Sequence, residues 1–170
     1  MLLLASSLVW GQANTARVDE YHVKGLFLLN FAKFIEWPPK AFNGLDDSLR
    51  ICVLGENSFN SVLGDAIRGK SIANRLFVLT PISGDRDAGA CHIVFIPDGD
   101  RKRSRVMLGD LKGLSVLTVG ETDDFLATGG MIRFTLKDAR VRFEIDGDST
   151  ARANLKVSSK LMSLAENTRK

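Results

Sequence analysis

Two runs, Ile51-Cys52-Val53-Leu54 and Ile93-Val94-Phe95-Ile96, are apolar at every position. A short run of this kind cannot alternate between core and water, so it reads as a strand buried on both faces of a sheet. Such a sheet needs helices on each side, and helix signals lie between the runs. Leu49–Gly55 is predicted as a strand, and Asn57 with Ser58 offers caps for a helix over Phe59–Arg68. Leu76–Leu79 reads as a strand ended by Thr80-Pro81, and a Gly/Asp-rich loop from Ser83 to Gly89 leads to Ile93–Ile96. Asp98 or Asp100 caps a helix running to Leu111. Ser115–Val119 is a further strand, and Thr122 with Asp123 opens a short helix through Leu126. Met131–Leu136 and Val141–Ile145 alternate at period two around Lys137-Asp138-Ala139, the pattern of a β-hairpin. Leu155–Ala165 closes the chain with helical spacing. The expectation is one α/β domain: a mostly parallel central sheet, a late antiparallel hairpin and helices on both faces.

A first helix is expected over the apolar stretch from Val18 to Glu36, stopped by Trp37-Pro38-Pro39. At 100° per residue its main face centres on Val23, Phe27, Phe31 and Phe34. Leu26 and Leu29 fall outside that face and join His22 and Lys33 in a second stripe. A helix apolar beyond one face is either deeply buried or carries a partner surface, and burial is the commoner fate.

Ahead of that helix, residues 1–13 read as a secretory signal. Leu2–Trp10 is apolar apart from two serines, too short to span a bilayer, and Gly11 and Ala13 suit a cleavage site after Ala13. The n-region is missing or atypical, because no Lys or Arg precedes the apolar run. A first core strand is the alternative reading. The domain proper is then 14–170.

Export changes the meaning of the two cysteines. In an oxidising compartment Cys52 and Cys91 are expected to pair, provided their strands are neighbours, and closing that loop contributes roughly 4 kcal/mol in the chain-entropy model. Two separate buried thiols are the alternative.

Composition removes several function classes. With 23 basic and 20 acidic residues the net charge is +3, which does not call for nucleic acid. Two Cys and two His leave almost no material for a structural zinc site. No G-x-G-x-x-G, Walker-type loop or G-x-S-x-G elbow occurs, so no cofactor is expected. Cys91 and His92 are sequence neighbours and point to opposite sides of a strand, a poor dyad. Asp46-Asp47 and Asp123-Asp124 sit where capping and solvation explain them. The run Arg101-Lys102-Arg103-Ser104-Arg105 reads as a solvated helix face, with acidic residues close by to offset it. No enzyme activity is expected.

Three segments carry a resemblance. Tyr21 through Leu29-Asn30-Phe31-Ala32-Lys33-Phe34-Ile35-Glu36-Trp37-Pro38 resembles the opening of the YfiR family. So does Cys91-His92-Ile93-Val94-Phe95-Ile96. The third is C-terminal: Gly129-Gly130-Met131-Ile132, Val141-Arg142-Phe143-Glu144-Ile145, and Leu155-Lys156-Val157-Ser158-Ser159-Lys160-Leu161. The resemblance spans about residues 20 to 165. It implies a periplasmic, non-catalytic α/β protein that represses a membrane-bound diguanylate cyclase by binding its periplasmic sensor domain. Relief of repression then raises cyclic di-GMP and favours biofilm. The family also suits Cys52 and Cys91 as a pair. Some members carry a second cysteine pair near the Gly-Gly segment; here Leu126 to Arg133 contains none.

The stripe of His22, Leu26, Leu29 and Lys33 is the candidate contact surface for that cyclase, or for a second copy in a homodimer. The alternative is a periplasmic sensor module, with a small-molecule effector at the strand ends near Gly55–Ser58 and Pro97–Gly99.

Overall fold

The computed structural model describes residues 8–44, 47–84 and 86–169, with side chains from residue 15 onward. The leader assignment therefore falls partly outside the described residues. The first helix begins within that segment: α1 spans Leu8–Phe34 and runs directly into β1, Ile35–Glu36. The remaining strands are β2 (Leu49–Leu54), β3 (Ser71–Ile72), β4 (Arg75–Ile82), β5 (Ile93–Ile96), β6 (Leu117–Gly120), β7 (Ile132–Lys137), β8 (Arg140–Asp146), β9 (Lys156–Val157) and β10 (Asn167–Arg169). The other helices are α2 (Ser58–Ile67), α3 (Arg101–Asp110), α4 (Gly147–Arg152) and α5 (Ser159–Leu164).

Eight strands form one sheet in the order β10-β8-β7-β6-β5-β2-β4-β3. It is mostly parallel, with antiparallel pairing at β7–β8 and β3–β4. The period-two side-chain alternation divides it cleanly. Ile51, Val53, Ile93, Phe95, Leu117 and Val119 join α1 and α2 in the larger core. Cys52, Val94 and Ile96 point to the opposite face, where Met107 and Leu108 of α3 and Leu111 just after it cover them. The expected α/β architecture with helices on both faces is what the chain adopts.

Local chemistry sets most of the boundaries. Asn57 caps α2 by accepting from the Phe59 amide at 2.9 Å, and Asp100 caps α3 by accepting from Arg103 at 3.0 Å. Asp138 and Ala139 both adopt positive φ, 50° and 58°, as a two-residue hairpin turn requires.

Four expectations need correction. The strand expected to stop at Thr80-Pro81 continues to Ile82, because beyond Leu76 β4 pairs on one side only and Pro81 sacrifices no ladder bond there. The segment after Thr122 is a series of turns rather than a helix. Leu155–Ala165 is not one helix: Lys156 and Val157 form a strand antiparallel to β1, and Ser158 then caps the short α5. The buried face of α1 is also rotated from its expected centre. Leu28, Phe31, Ala32 and Ile35 are buried, Val23 is 39% exposed and Phe34 is half-buried. Tertiary contact sets this rotation. Gly25 brings α1 against Leu63 and Ala66 of α2, which turns the Leu28–Phe31 side towards the sheet.

Candidate functional site

The stripe predicted on α1 lies on its outward side. His22, Leu26 and Lys33 are exposed, and Leu29 is half-buried against the core. Val18, at 47% exposure, extends the stripe by one turn; the sequence reading places it at the start of the helix but not in the stripe.

Directly beyond α1 the chain builds a groove of about 660 Å³. One wall is Trp37-Pro38-Pro39; the other comes from α4, β9 and α5 and includes Leu155, Val157 and Met162. The β1–β9 pairing, Ile35 opposite Val157 and Glu36 opposite Lys156, holds the two walls together. Lys156 and Glu36 also form a rim ion pair at 3.2 Å, exposed enough to contribute little. Trp37 Nε1 is buried and, among the described residues, has no hydrogen-bond partner. Two segments far apart in sequence, the one ending in Glu36-Trp37-Pro38 and the one starting at Leu155-Lys156, meet here. Sequence reasoning missed the groove because neither segment lies at a strand end of the main sheet.

The strand ends hold a different cleft, about 550 Å³, near Pro97, Asp98 and Glu121. Pro97 and Asp98 line it as expected; Gly55–Ser58 does not. Lys24 of α1 is 5% exposed and forms ion pairs with both Glu20 and Glu121 at this cleft. Burial opposes its charge, but the two carboxylates outweigh burial and raise its pKa above the usual 10.5. Glu121 also accepts from the Asp98 amide at 2.9 Å, so its two oxygens tie α1 to the loop after β5.

The cysteines form a disulfide, Cys52–Cys91, with Cα atoms 6.0 Å apart. Their strands are neighbours, since Ile51 pairs with Ile93 and Cys52 with Val94. His92 is buried beside it with both ring nitrogens in use. Nδ1 accepts from the Arg50 amide at 3.0 Å, and Nε2–H donates to the Ala41 carbonyl at 2.9 Å. Its ring stacks on Phe42 at 4.4 Å, and Arg75 covers the far side of Phe42 at 3.8 Å. Burial lowers the His92 pKa below 6.5. An imidazole bonded at both nitrogens is a structural tie and has no lone pair left for a base.

The other candidates are structural as well. Asp124 is held by Arg105 at 2.6 Å and Arg101 at 3.9 Å, which accounts for part of the basic run. Asp47 accepts from the Asn43 amide at 3.1 Å, and Asp46 lies outside the described residues. No helix among the described residues is long and apolar enough to cross a membrane.

A family model described as YfiR/HmsC-like matches residues 21–166. Among solved structures, a conserved domain protein from Vibrio cholerae O1 biovar eltor superposes with a TM-score of 0.55 at 8% identity. The match covers 71% of this chain and 55% of that one, so this chain spans about half the length of that neighbour, and the likeness is one of fold. The family match includes α1 from Tyr21, both walls of the groove and both cysteines, and on that breadth the chain belongs to the YfiR/HmsC-like family.

Proposed function

We propose that this protein is a non-catalytic periplasmic regulator that binds the periplasmic sensor domain of a membrane diguanylate cyclase and represses it. In this reading residues 1–13 direct export and are removed after Ala13. Family membership supports the general role, since YfiR/HmsC-like proteins are regulatory rather than catalytic, and periplasmic. The observation that carries the reading is the outward stripe of α1. Leu26 stands 39% exposed between His22 and Lys33, with Val18 a turn before His22, and among the described residues these four stay exposed. Exposed apolar side chains at helical spacing, flanked by His22 and Lys33, support a contact surface on this side of the first helix. The same stripe in a second copy would give a two-fold homodimer.

The test is Leu26→Asp, assayed for capture of the purified cyclase sensor domain and for cyclic di-GMP in cells. The expected result is weaker capture by about tenfold and raised cyclic di-GMP, with an unchanged melting temperature. Full capture by a folded Leu26→Asp protein, or an unchanged dinucleotide level on deleting the gene, would count against repression through this surface.

A second reading, a small-molecule sensor, is favoured by the groove beside Trp37. Its apolar walls, with Trp37 on one side and Leu155, Val157 and Met162 on the other, suit a ligand with a flat apolar body. Thermal-shift screening separates the two. A metabolite that stabilises the wild type but not Trp37→Phe, with no cyclase capture, would favour the sensor.

A further inference from the structure

The sheet is covered by helices on both faces from β2 to β6, but not beyond. Past β6, α1 packs on Phe134, Phe143 and Ile145 on one face. No helix of the described residues lies on the other, where only the Asp123–Ala127 turn approaches, lining a small pocket with Arg133, Glu144, Asn167 and Arg169. The register shows what that open face presents. Arg133 lies opposite Glu144, Thr135 opposite Arg142, and Lys137 opposite Arg140. On the next strand Asn167 lies opposite Glu144 and Arg169 opposite Asp146. Period-two alternation therefore puts five basic side chains on one side of three strands.

Two of the five are neutralised. Arg133 pairs with Glu144 at 2.9 Å and with Asp123 at 3.3 Å, and Lys137 pairs with Glu166 at 3.5 Å. Arg140, Arg142 and Arg169 are exposed and have no acidic partner among the described residues. Arg140 and Arg142 stand two residues apart on β8, and Arg169 lies four residues further along on β10, opposite Asp146. Guanidinium groups suit carboxylates, which they bind through two parallel hydrogen bonds. A second observation narrows the class of partner. β10 is the outermost strand of the sheet, so among the described residues its far edge has no strand partner and presents backbone amides and carbonyls beside Arg169. A lipid surface or a free anion would use the arginines and ignore that edge. An extended polypeptide uses both.

We infer that the open β7–β8–β10 face is a docking surface for an extended acidic segment of a partner protein, with Arg142 and Arg169 as its carboxylate anchors. The surface is separate from the α1 stripe and from the Trp37 groove, and the inference stands whether or not the partner is a cyclase.

The test uses the full chain and a labelled synthetic peptide of alternating Glu and Thr. Backbone amide shifts on titration are expected to cluster at Thr135, Arg142, Asn167 and Arg169. In anisotropy, Arg142→Glu/Arg169→Glu should weaken binding by about tenfold or more. Lys102→Glu/Lys112→Glu, an equal change of net charge elsewhere, should leave it unchanged. The inference is overturned if the peptide does not bind, if both double variants lose affinity equally, or if the shifts fall on α3 or the groove. It is also overturned if vesicles of phosphatidylglycerol and phosphatidylethanolamine bind through Arg142 and Arg169 while the peptide does not. Should the arginine variant fail to fold, the wild-type shift map decides alone.

Discussion

Gly130 leaves the space that the ring of Phe125 fills. A Cβ built on Gly130 would penetrate that ring, and one on Gly120, at the end of β6, would penetrate it from the other side. Phe125 itself is fully buried. The turn between β6 and β7 is thus locked by an aromatic plug. Gly130→Ala should destabilise the fold by about 2–3 kcal/mol through overpacking. In a Phe125→Leu background the same change should cost clearly less, because the two sites share one space. Urea denaturation of the four variants measures both; additive costs would separate the glycine from the ring.

Lys24 is the charged centre of the strand-end cleft. Lys24→Ala leaves Glu20 and Glu121 without their cation and should cost about 3 kcal/mol. Its raised pKa sets the sign of a pH effect. Stability from this group is fully present below its unfolded value of 10.5 and is lost as pH rises through the higher folded value. Melting curves above pH 10 should therefore fall more steeply for wild type than for Lys24→Met.

His92 works in the opposite direction. Its folded pKa lies below 6.5, so its contribution is present above that unfolded value and is lost as pH falls through the depressed folded one. Protonating Nδ1 would also remove the acceptor of the Arg50 amide. The surrounding charges act on the same ring: Asp47 favours its protonation, while Arg50 and Arg75 oppose it. Melting temperature against pH from 7 to 4 should flatten in His92→Gln, and a parallel curve would assign the acid loss to other groups.

The disulfide closes the loop between β2 and β5. Cys52→Ala/Cys91→Ala should lower stability by about 2–4 kcal/mol. Alkylation under denaturing, non-reducing conditions should label neither cysteine, and labelling of both would remove the assignment.

The runs Ile51–Leu54 and Ile93–Ile96 determined the parallel, two-faced sheet, because an all-apolar strand has no stable home outside one. Asn57, Asp100 and the Asp138-Ala139 turn were equally legible, since caps and tight turns are decided within a few residues. What lay beyond local chemistry was decided by the tertiary structure. Pro81 sits inside a strand because one side of β4 is an edge. The face that α1 buries follows from Gly25 meeting α2. Lys156 is in a strand because Glu36 lies opposite it, 120 residues earlier. The Trp37 groove and the open arginine face depend on strand partners that periodicity cannot name. Periodicity specifies which residues share a face; only the order of the strands specifies whether that face is covered.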